Sequence, residues 1–298
     1  MRAIIISGAT ATGKSSLALD FSAFKDVAII NADALQIYKG LPILSAQPSL
    51  EDKKIAPHLL YSHFEFDQNV SVMNWLKLIK TTVDEVFAQN KIPLIVGGSG
   101  MYISKLLDGI SEIAEISDEN KSEARNLYQE IGKEKFVETL LKMGENDSIK
   151  NLDKQRLIRL YEVLKQTKKT LSAWQEQPKK FVLDPKIFTH INLEIDREKL
   201  YKNCNLRFEK MLENGAIEEV RVLISQGVKD EMQISKTLGF FEIRDFLEGK
   251  ISHAKALEIS SQKTRNYAKR QLTWFRHQFK NKVVFSDAKA ALEFLKNF

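Results

Sequence analysis

Residues 8–15, near the amino terminus, have the types and spacing of a phosphate-binding loop. Gly8 and Gly13 bound the loop, and Lys14 and Ser15 follow, which satisfies the pattern G-x-x-x-x-G-K-[ST]. Glycine lets backbone amides turn towards phosphate oxygens, lysine adds a positive charge, and a hydroxyl at the last position can ligate Mg²⁺. The residues expected to bind the phosphates are Gly8, Thr10, Ala11, Thr12, Gly13, Lys14 and Ser15.

One carboxylate, Asp33, lies at the end of a predicted strand that can approach this loop. A P-loop ATPase or GTPase normally has an acid at the end of another strand, which holds Mg²⁺ or orients water. The apolar run 92–96 ends instead in Gly97-Gly98-Ser99-Gly100, without an acid. The residue type leaves three roles open for Asp33: a metal ligand, a base that faces the substrate, or a helix cap.

The segments around these residues predict an α/β fold. Apolar runs at 3–6, 27–30 and 92–96 predict buried strands, and Leu17 and Phe21 have the spacing of a helix that follows the first strand. Such strands, alternating with helices, indicate a P-loop NTPase-like parallel sheet covered by helices. Ligands of these sheets bind at the carboxyl ends of the strands.

After Gly109 the pattern changes to charged helical segments, with no strand signal before 188–193. We therefore expect a helical insertion domain at 113–190 between two parts of the α/β core, 1–112 and 191–298. Further amphipathic helix is predicted from residue 196 onwards. Its candidate buried residues are Leu206, Met211, Ile217, Val220 and Leu223.

The composition excludes several classes of protein. With one cysteine, Cys204, in 298 residues, a disulfide framework and a thiolate zinc cluster are both excluded. The apolar run 3–6 is too short for a signal peptide, and no run of about 18 apolar residues occurs elsewhere. We expect a cytoplasmic protein with no membrane partner and, by default, a monomer.

The net charge of +6 is distributed unevenly. Residues 148–190 have ten basic and four acidic side chains, whereas 115–147 have five basic and nine acidic ones. Residues 263–282 hold seven Lys and Arg and no acid. Two separated basic surfaces fit a long polyanion such as nucleic acid better than a small anion, although a solvated helix face would give the same pattern.

The sequence resembles the tRNA dimethylallyltransferase (tRNA isopentenylpyrophosphate transferase) family over nearly its whole length. Besides the loop 8–15, the resemblance is carried by Asp33-Ala34-Leu35-Gln36-Ile37-Tyr38-Lys39-Gly40, by Val96-Gly97-Gly98-Ser99-Gly100-Met101-Tyr102, by Asp153 with Gln155-Arg156-Leu157-Ile158-Arg159, and by Thr264-Arg265-Asn266-Tyr267-Ala268-Lys269-Arg270-Gln271-Leu272-Thr273-Trp274-Phe275-Arg276. It implies transfer of a dimethylallyl group from dimethylallyl diphosphate to the exocyclic amine of the adenosine 3′ of the anticodon in tRNA.

The resemblance also implies roles for single residues. Asp33 would be the base that accepts the amine proton, Ser99 would lie near the leaving oxygen, and Arg207 would contact the diphosphate. Mg²⁺ is the implied cofactor, with Ser15 as its ligand. The family more often has Thr at the position of Ser99, and Ser keeps the hydroxyl but lacks the methyl group that limits rotamers.

The anticodon stem-loop of tRNA is the implied macromolecular partner. The residues expected to bind it are Gln36, Tyr38, Gln155, Arg156, Arg159, Arg265, Lys269 and Arg276. The last three lie near one face of a helix that begins at about residue 255. In the same helix, Trp274 and Phe275 are expected in the core rather than stacked on bases.

Two blocks depart from the family pattern. Leu44-Ser45-Ala46-Gln47-Pro48 stands where the family has G-T-A-K-P, which leaves an RNA contact there open, and Gly239-Phe240-Phe241-Glu242 replaces G-Y-[RK]-E. Neither departure removes a residue expected in the chemistry.

Two other functions fit part of the sequence. A P-loop kinase of a nucleoside or small metabolite would use the same phosphate loop, with 113–190 taken as its lid. A non-catalytic RNA-binding protein would keep the basic surfaces and would not need Asp33.

Overall fold

The computed structural model describes residues 1–298 and divides them into two compact units. The core unit comprises Met1–Leu107 and Val182–Phe298, and the insertion unit comprises Asp108–Phe181. No helix in either unit combines the length and the apolar character that crossing a membrane requires.

The core unit contains six strands: β1 Ala3–Gly8, β2 Val27–Asn31, β3 His58–Leu59, β4 Ile92–Gly97, β5 Phe188–Leu193 and β6 Val283–Phe285. They form one sheet in the order β3-β2-β4-β1-β5-β6, and every neighbouring pair is parallel. The predicted parallel sheet is confirmed.

Twelve helices accompany the strands: α1 Lys14–Ser22, α2 Leu50–Ile55, α3 Val72–Ala88, α4 Gly100–Asp108, α5 Asp118–Lys142, α6 Lys154–Thr167, α7 Leu171–Gln175, α8 Arg197–Glu213, α9 Ala216–Ser225, α10 Phe240–Leu247, α11 His253–Gln278 and α12 Ala288–Lys296. Leu17 of α1 and Leu295 of α12 share a core cluster with Ile4 and Ile6 of β1. Helix α3 packs on β2 and β4, and helix α11 packs on β1. Because helices cover β1, all six of its residues are buried, which explains its continuous apolar run.

The two central strands, β1 and β4, lead the chain in opposite directions across the sheet. After β1 the chain continues to β2 on one side, whereas after β4 it returns through the insertion to β5 on the other side. Loops that diverge in this way leave a crevice at the carboxyl ends of the strands. The phosphate loop and Ser99 lie on the two sides of this crevice.

The insertion unit has its own apolar core, which includes Phe136 of α5 and Leu157 and Tyr161 of α6. Within α5 the helical geometry is interrupted at Gly132, where φ is 74°.

The insertion was expected at 113–190, and the structure places its limits earlier. Residues from Phe188 onwards pair with β1 as strand β5, so they belong to the sheet. At the other limit, Ile110 and Lys180 exchange backbone hydrogen bonds of 3.0 and 2.8 Å, which ties residues 108–112 to the insertion unit. The charge pattern of the sequence carries no signal for the pairing of β5 with β1 or of Ile110 with Lys180, so it could not predict these limits.

Candidate active site

The loops after β1, β2 and β4 border an open cavity of about 1290 Å³ in the core unit. Lys14, Ser15, Asp33, Ser99 and Arg207 all line this cavity. They come from four separate segments of the chain, so the fold brings together the residues that the sequence singled out for catalysis and metal binding.

The phosphate loop presents the first turn of α1 to the cavity. This helix has no side-chain cap, because its N-cap residue is Gly13, with a left-handed φ of 94°. Ala11 also has a left-handed φ, of 62°, and its carbonyl accepts a hydrogen bond from Asn203 Nδ2 at 3.1 Å. Since the first amides of a helix have no partner within it, those of α1 are available to an anion.

Lys14 and Arg207 are two cations of the cavity, and the charge of Arg207 acts on Lys14. The Nζ of Lys14 donates a hydrogen bond to the Ala9 carbonyl at 2.6 Å. Burial, and after it the charge of Arg207, lowers the pKa of Lys14 to about 7, against the opposing charge of Asp33. Burial also lowers the pKa of Arg207. Because a polyanion would reverse both shifts, this pair favours a diphosphate ligand.

The backbone of Asp33 is held by the side chain of Asn31, the last residue of β2. Asn31 is fully buried; its Oδ1 accepts from the Asp33 amide at 2.8 Å, and its Nδ2 donates to the Asp33 carbonyl at 3.0 Å. One carboxylate oxygen of Asp33 accepts from the Leu35 amide at 3.0 Å. Burial, and after it the charge of Asp33, raises the pKa values of Tyr61 and Tyr267, and both tyrosines line the same cavity as Asp33.

The hydroxyl of Ser99 is joined to the turn that carries Asp33. Its Oγ accepts a hydrogen bond from the Ala34 amide at 2.9 Å, which leaves its own proton free to be donated. The two loops approach closely at Gly97, where a Cβ would lie 2.1 Å from the Ala32 carbonyl oxygen. Glycine at this position is therefore required by the contact between the loops.

Magnesium fits this site through one side chain and the substrate. The structure contains no group of three or more His, Cys, Asp and Glu residues that could hold a metal ion. Ser15 is exposed to the cavity in the first turn of α1. Mg²⁺ commonly takes few protein ligands and completes its shell with substrate phosphates and water, so a hydroxyl beside bound diphosphate suits it.

A family model described as IPP transferase matches residues 36–278, a range that includes Ser99 and Arg207. This chain belongs to the IPP transferase family. The predicted family resemblance is thereby confirmed.

Relatives of this IPP transferase match it along almost its full length. A tRNA dimethylallyltransferase of Rickettsia bellii is 38% identical over 283 residues, which cover 94% of this chain and 90% of the relative. One of Ehrlichia chaffeensis is 38% identical and covers 99% of this chain and 97% of the relative.

Solved structures of similar proteins share the fold of this IPP transferase. The crystal structure of the full-length tRNA isopentenylpyrophosphate transferase from Bacillus halodurans is 25% identical, with a TM-score of 0.70 and coverage of 100% of this chain and 95% of that one. A eukaryotic dimethylallyltransferase described as acting on tRNA has a TM-score of 0.79 at 23% identity, covering 96% and 74%, and it supports the fold alone.

Two residues of the predicted phosphate loop, Gly8 and Thr10, make close contacts within this IPP transferase itself. Gly8 does not line the cavity; its φ is 147°, and a Cβ would lie 2.6 Å from the Leu193 carbonyl oxygen. The Thr10 amide donates to Gln271 Oε1 at 2.8 Å, so that amide is already occupied. Gly8 therefore shapes the turn and does not face the cavity, contrary to expectation, whereas phosphate binding by the later residues of the loop stays a prediction.

The two predicted tRNA contacts after Asp33, Gln36 and Tyr38, both form hydrogen bonds within the core unit. Tyr38 has no exposed surface; its hydroxyl donates to Gln233 at 3.0 Å and accepts from the Val70 amide at 3.1 Å. The expectation that Tyr38 binds the tRNA is corrected, because its side chain is part of the interior. Gln36 lines the cavity, and its Nε2 donates to the carbonyls of residues 45 and 46.

The predicted tRNA residues of the insertion lie on α6. Gln155 and Arg156 are exposed and Arg159 is partly exposed. Arg156 lies 3.5 Å from Asp153, and Arg159 bonds Glu162 at 3.2 Å. Their binding to tRNA stays a prediction.

The predicted tRNA residues of α11 differ in their environments. Lys269 is exposed and forms no ion pair, whereas Arg276 bonds Glu194 at 2.6 Å. Arg265 is partly buried and donates to Asn205 and Gln262. Lys269 is therefore the most available of the three to a phosphate group.

Apolar side chains line part of the cavity, beside the charged ones. Leu206, predicted in a buried helix face, is 45% exposed and lines the cavity. Other apolar residues that line it are Leu35, Ile43, Leu44, Met211 and Leu238. A ligand with both a charged and a hydrocarbon part fits such a lining.

Sequence reasoning missed several residues of the site. Four further cations line the cavity: Lys199, Lys210, Lys236 and Arg270. Asn31 and Gln271 were also missed, although both hold loops of the site. The sequence could have indicated a role for Gln271, because its spacing places it on one helical face with the buried residues Thr264, Ala268 and Phe275. A buried side-chain amide needs hydrogen-bond partners.

Proposed function

We propose that this protein transfers a dimethylallyl group from dimethylallyl diphosphate to the exocyclic amine of the adenosine 3′ of the anticodon in tRNA, and releases diphosphate. The observation that carries the proposal is the convergence of Asp33 and Ser99 with Lys14 and Arg207 in one cavity. A base beside a diphosphate-binding set suits a reaction in which an amine replaces diphosphate. The similarity to tRNA dimethylallyltransferases supports both substrates.

In the first part of the reaction, the bond between C1 of the dimethylallyl group and the bridging oxygen breaks. Its electron pair stays with the diphosphate, and Lys14, Arg207 and the first amides of α1 stabilise that charge. Ser99 donates its hydroxyl proton in a hydrogen bond to the bridging oxygen, because its Oγ already accepts from the Ala34 amide.

The adenine amine forms the new bond to C1. Its lone pair is delocalised into the ring, so loss of its proton must accompany bond formation. Asp33 accepts that proton, and such a base contributes about 10²–10⁴-fold to the rate. The hydrogen bonds from Asn31 fix the backbone that carries this carboxylate.

The Ser15 hydroxyl and the diphosphate oxygens would together hold Mg²⁺. When bound, the ion neutralises part of the charge on the leaving group.

The tRNA approaches through exposed basic side chains. Extracting the adenine from its stack costs about a few kcal/mol, less in a loop than in a duplex. Phosphate contacts from Arg156 of α6 and Lys269 of α11 offset this cost.

Incubation of the purified protein with tRNA and either radiolabelled dimethylallyl diphosphate or radiolabelled ATP tests the proposal. We expect label from the first donor in tRNA and none from ATP. Phosphoryl transfer from ATP without prenylated tRNA would overturn the proposal in favour of a P-loop kinase.

The variant Asp33→Asn tests the base directly. We expect turnover to fall by at least about tenfold while tRNA affinity changes little, because the amide cannot accept the proton. Asp20→Asn, at an exposed position of α1, is the matched control and should keep full activity. Equal losses of turnover and affinity in Asp33→Asn would make Asp33 a binding residue, and activity that survives in full would favour a non-catalytic RNA-binding protein.

A further inference from the structure

Gln271 of α11 joins two loops of the cavity that belong to neighbouring strands. Its Oε1 accepts from the Thr10 amide of the phosphate loop at 2.8 Å, and its Nε2 donates to the Gly98 carbonyl of the loop after β4 at 2.9 Å. The residue is only 7% exposed. One buried side chain therefore spans the crevice between the ends of β1 and β4.

The two partners of Gln271 determine which residue type can occupy the position. A backbone amide only donates and a backbone carbonyl only accepts, so the side chain must do both. Glutamine does so with its orientation fixed, whereas glutamate only accepts when ionised and methionine does neither. A Cβ on Gly98 would lie 2.6 Å from the Gln271 Nε2, so glycine at 98 permits the approach.

The hydrogen bonds continue from Gly98 to the reacting groups. Ser99 follows Gly98, its amide donates to the Ala32 carbonyl at 3.2 Å, and its Oγ accepts from the Ala34 amide at 2.9 Å. Asp33 lies between these two alanines. A continuous path therefore runs from the phosphate loop through Gln271 to Ser99 and to the turn that carries the base.

We propose that Gln271 is a positioning residue that sets the separation of the phosphate loop and Ser99. This inference rests on the function proposed above. Diphosphate bound by the loop lies within hydrogen-bond distance of the Ser99 hydroxyl only when the side-chain amide of Gln271 holds both loops. Misplacement of a reacting group by about 1 Å can cost on the order of 10²-fold in rate, so the position of the loop matters for turnover.

Two substitutions of Gln271 test the inference. Gln271→Met keeps the length and loses both hydrogen bonds, whereas Gln271→Glu keeps the bond to Thr10 and loses the one to Gly98. We expect kcat to fall by at least about tenfold in both variants, with KM for tRNA within about twofold of the wild type. Gln278→Met, an exposed position on the same helix, is the matched control and should keep full kcat.

A double-substitution cycle with Ser99→Ala separates positioning from a general loss of stability. Because Gln271 acts through Ser99, Gln271→Met should cost less than about threefold in kcat when the hydroxyl is already absent. The same fold-loss on both backgrounds, unchanged kcat in Gln271→Met, or full activity in Gln271→Glu would overturn the inference. In each case an active wild-type protein leaves the proposed function intact, whereas a wild type that does not prenylate tRNA overturns both.

Discussion

The cavity of the core unit and the exposed side of α6 in the insertion unit place their positively charged side chains in different environments. In the cavity, Lys14 and Arg207 are half-buried, and their partial removal from water lowers the pKa of each. On α6, Arg156 and Arg159 lie beside acids three residues away in sequence. The exposed pair of Arg156 with Asp153 contributes about 0–1 kcal/mol to stability, whereas charges that are partly removed from water respond more strongly to each neighbour. We therefore expect the cavity to act through fixed geometry and the surface of α6 to act through the number of its charges.

The largest predicted effect lies in the cavity, at Ser99. Ser99→Ala should lower kcat by about 10²-fold, because a preorganised donor to the leaving oxygen is lost. Ser99→Thr keeps the hydroxyl and should retain most of the activity. Single-turnover rates with tRNA in excess measure both, and equal losses in the two variants would remove the hydroxyl from the reaction.

The next effect is a pH dependence of donor binding that depends on Lys14. Its pKa is about 7 in the free protein, and bound diphosphate returns it towards the ordinary value. Below pH 7 the lysine is already charged in the free protein, so its contribution to donor affinity should not change with pH. Above pH 7 binding takes up a proton, and affinity should fall by up to about tenfold per pH unit.

Calorimetry in buffers of different ionisation enthalpy measures this proton uptake. Lys14→Arg, which stays charged, is the control and should lose the additional dependence above pH 7. Identical proton uptake by the two proteins would contradict the role given to Lys14.

A smaller effect is expected on the exposed side of α11. Lys269→Ala should reduce the salt slope of tRNA binding by about one unit, because the residue has no acidic partner. Arg276→Ala should change the slope less, since Glu194 already neutralises that arginine. Filter binding over a range of salt concentrations measures both, and an unchanged slope for Lys269→Ala would remove this face from the RNA surface.

The smallest effect is expected at Tyr38, which lies in the interior of the core unit. Tyr38→Phe loses the bonds to Gln233 and to the Val70 amide, at a cost of about 1–2 kcal/mol in the free energy of unfolding. Activity and tRNA affinity should be unchanged. Denaturant unfolding measures the first, and weaker tRNA binding at unchanged stability would restore Tyr38 to the RNA surface.

The sequence was informative where function requires a local pattern. Continuous apolar runs predicted the strands because helices cover both faces of the sheet, and strand ends then located Asp33 and Ser99 at one edge. The prediction that Tyr38 binds tRNA was wrong because a sequence motif gives the order of the side chains but not which of them point into the interior after the turn at Asp33. The bonds of Gln271 could not be predicted, since they depend on two distant loops approaching through glycine.

Mass analysis of the nucleosides of tRNA, after incubation with the protein and dimethylallyl diphosphate, detects the proposed product itself. We expect one dimethylallyl group on the adenosine 3′ of the anticodon, with one diphosphate released for each group transferred. Unmodified tRNA under conditions in which the protein binds both substrates would contradict the proposed function.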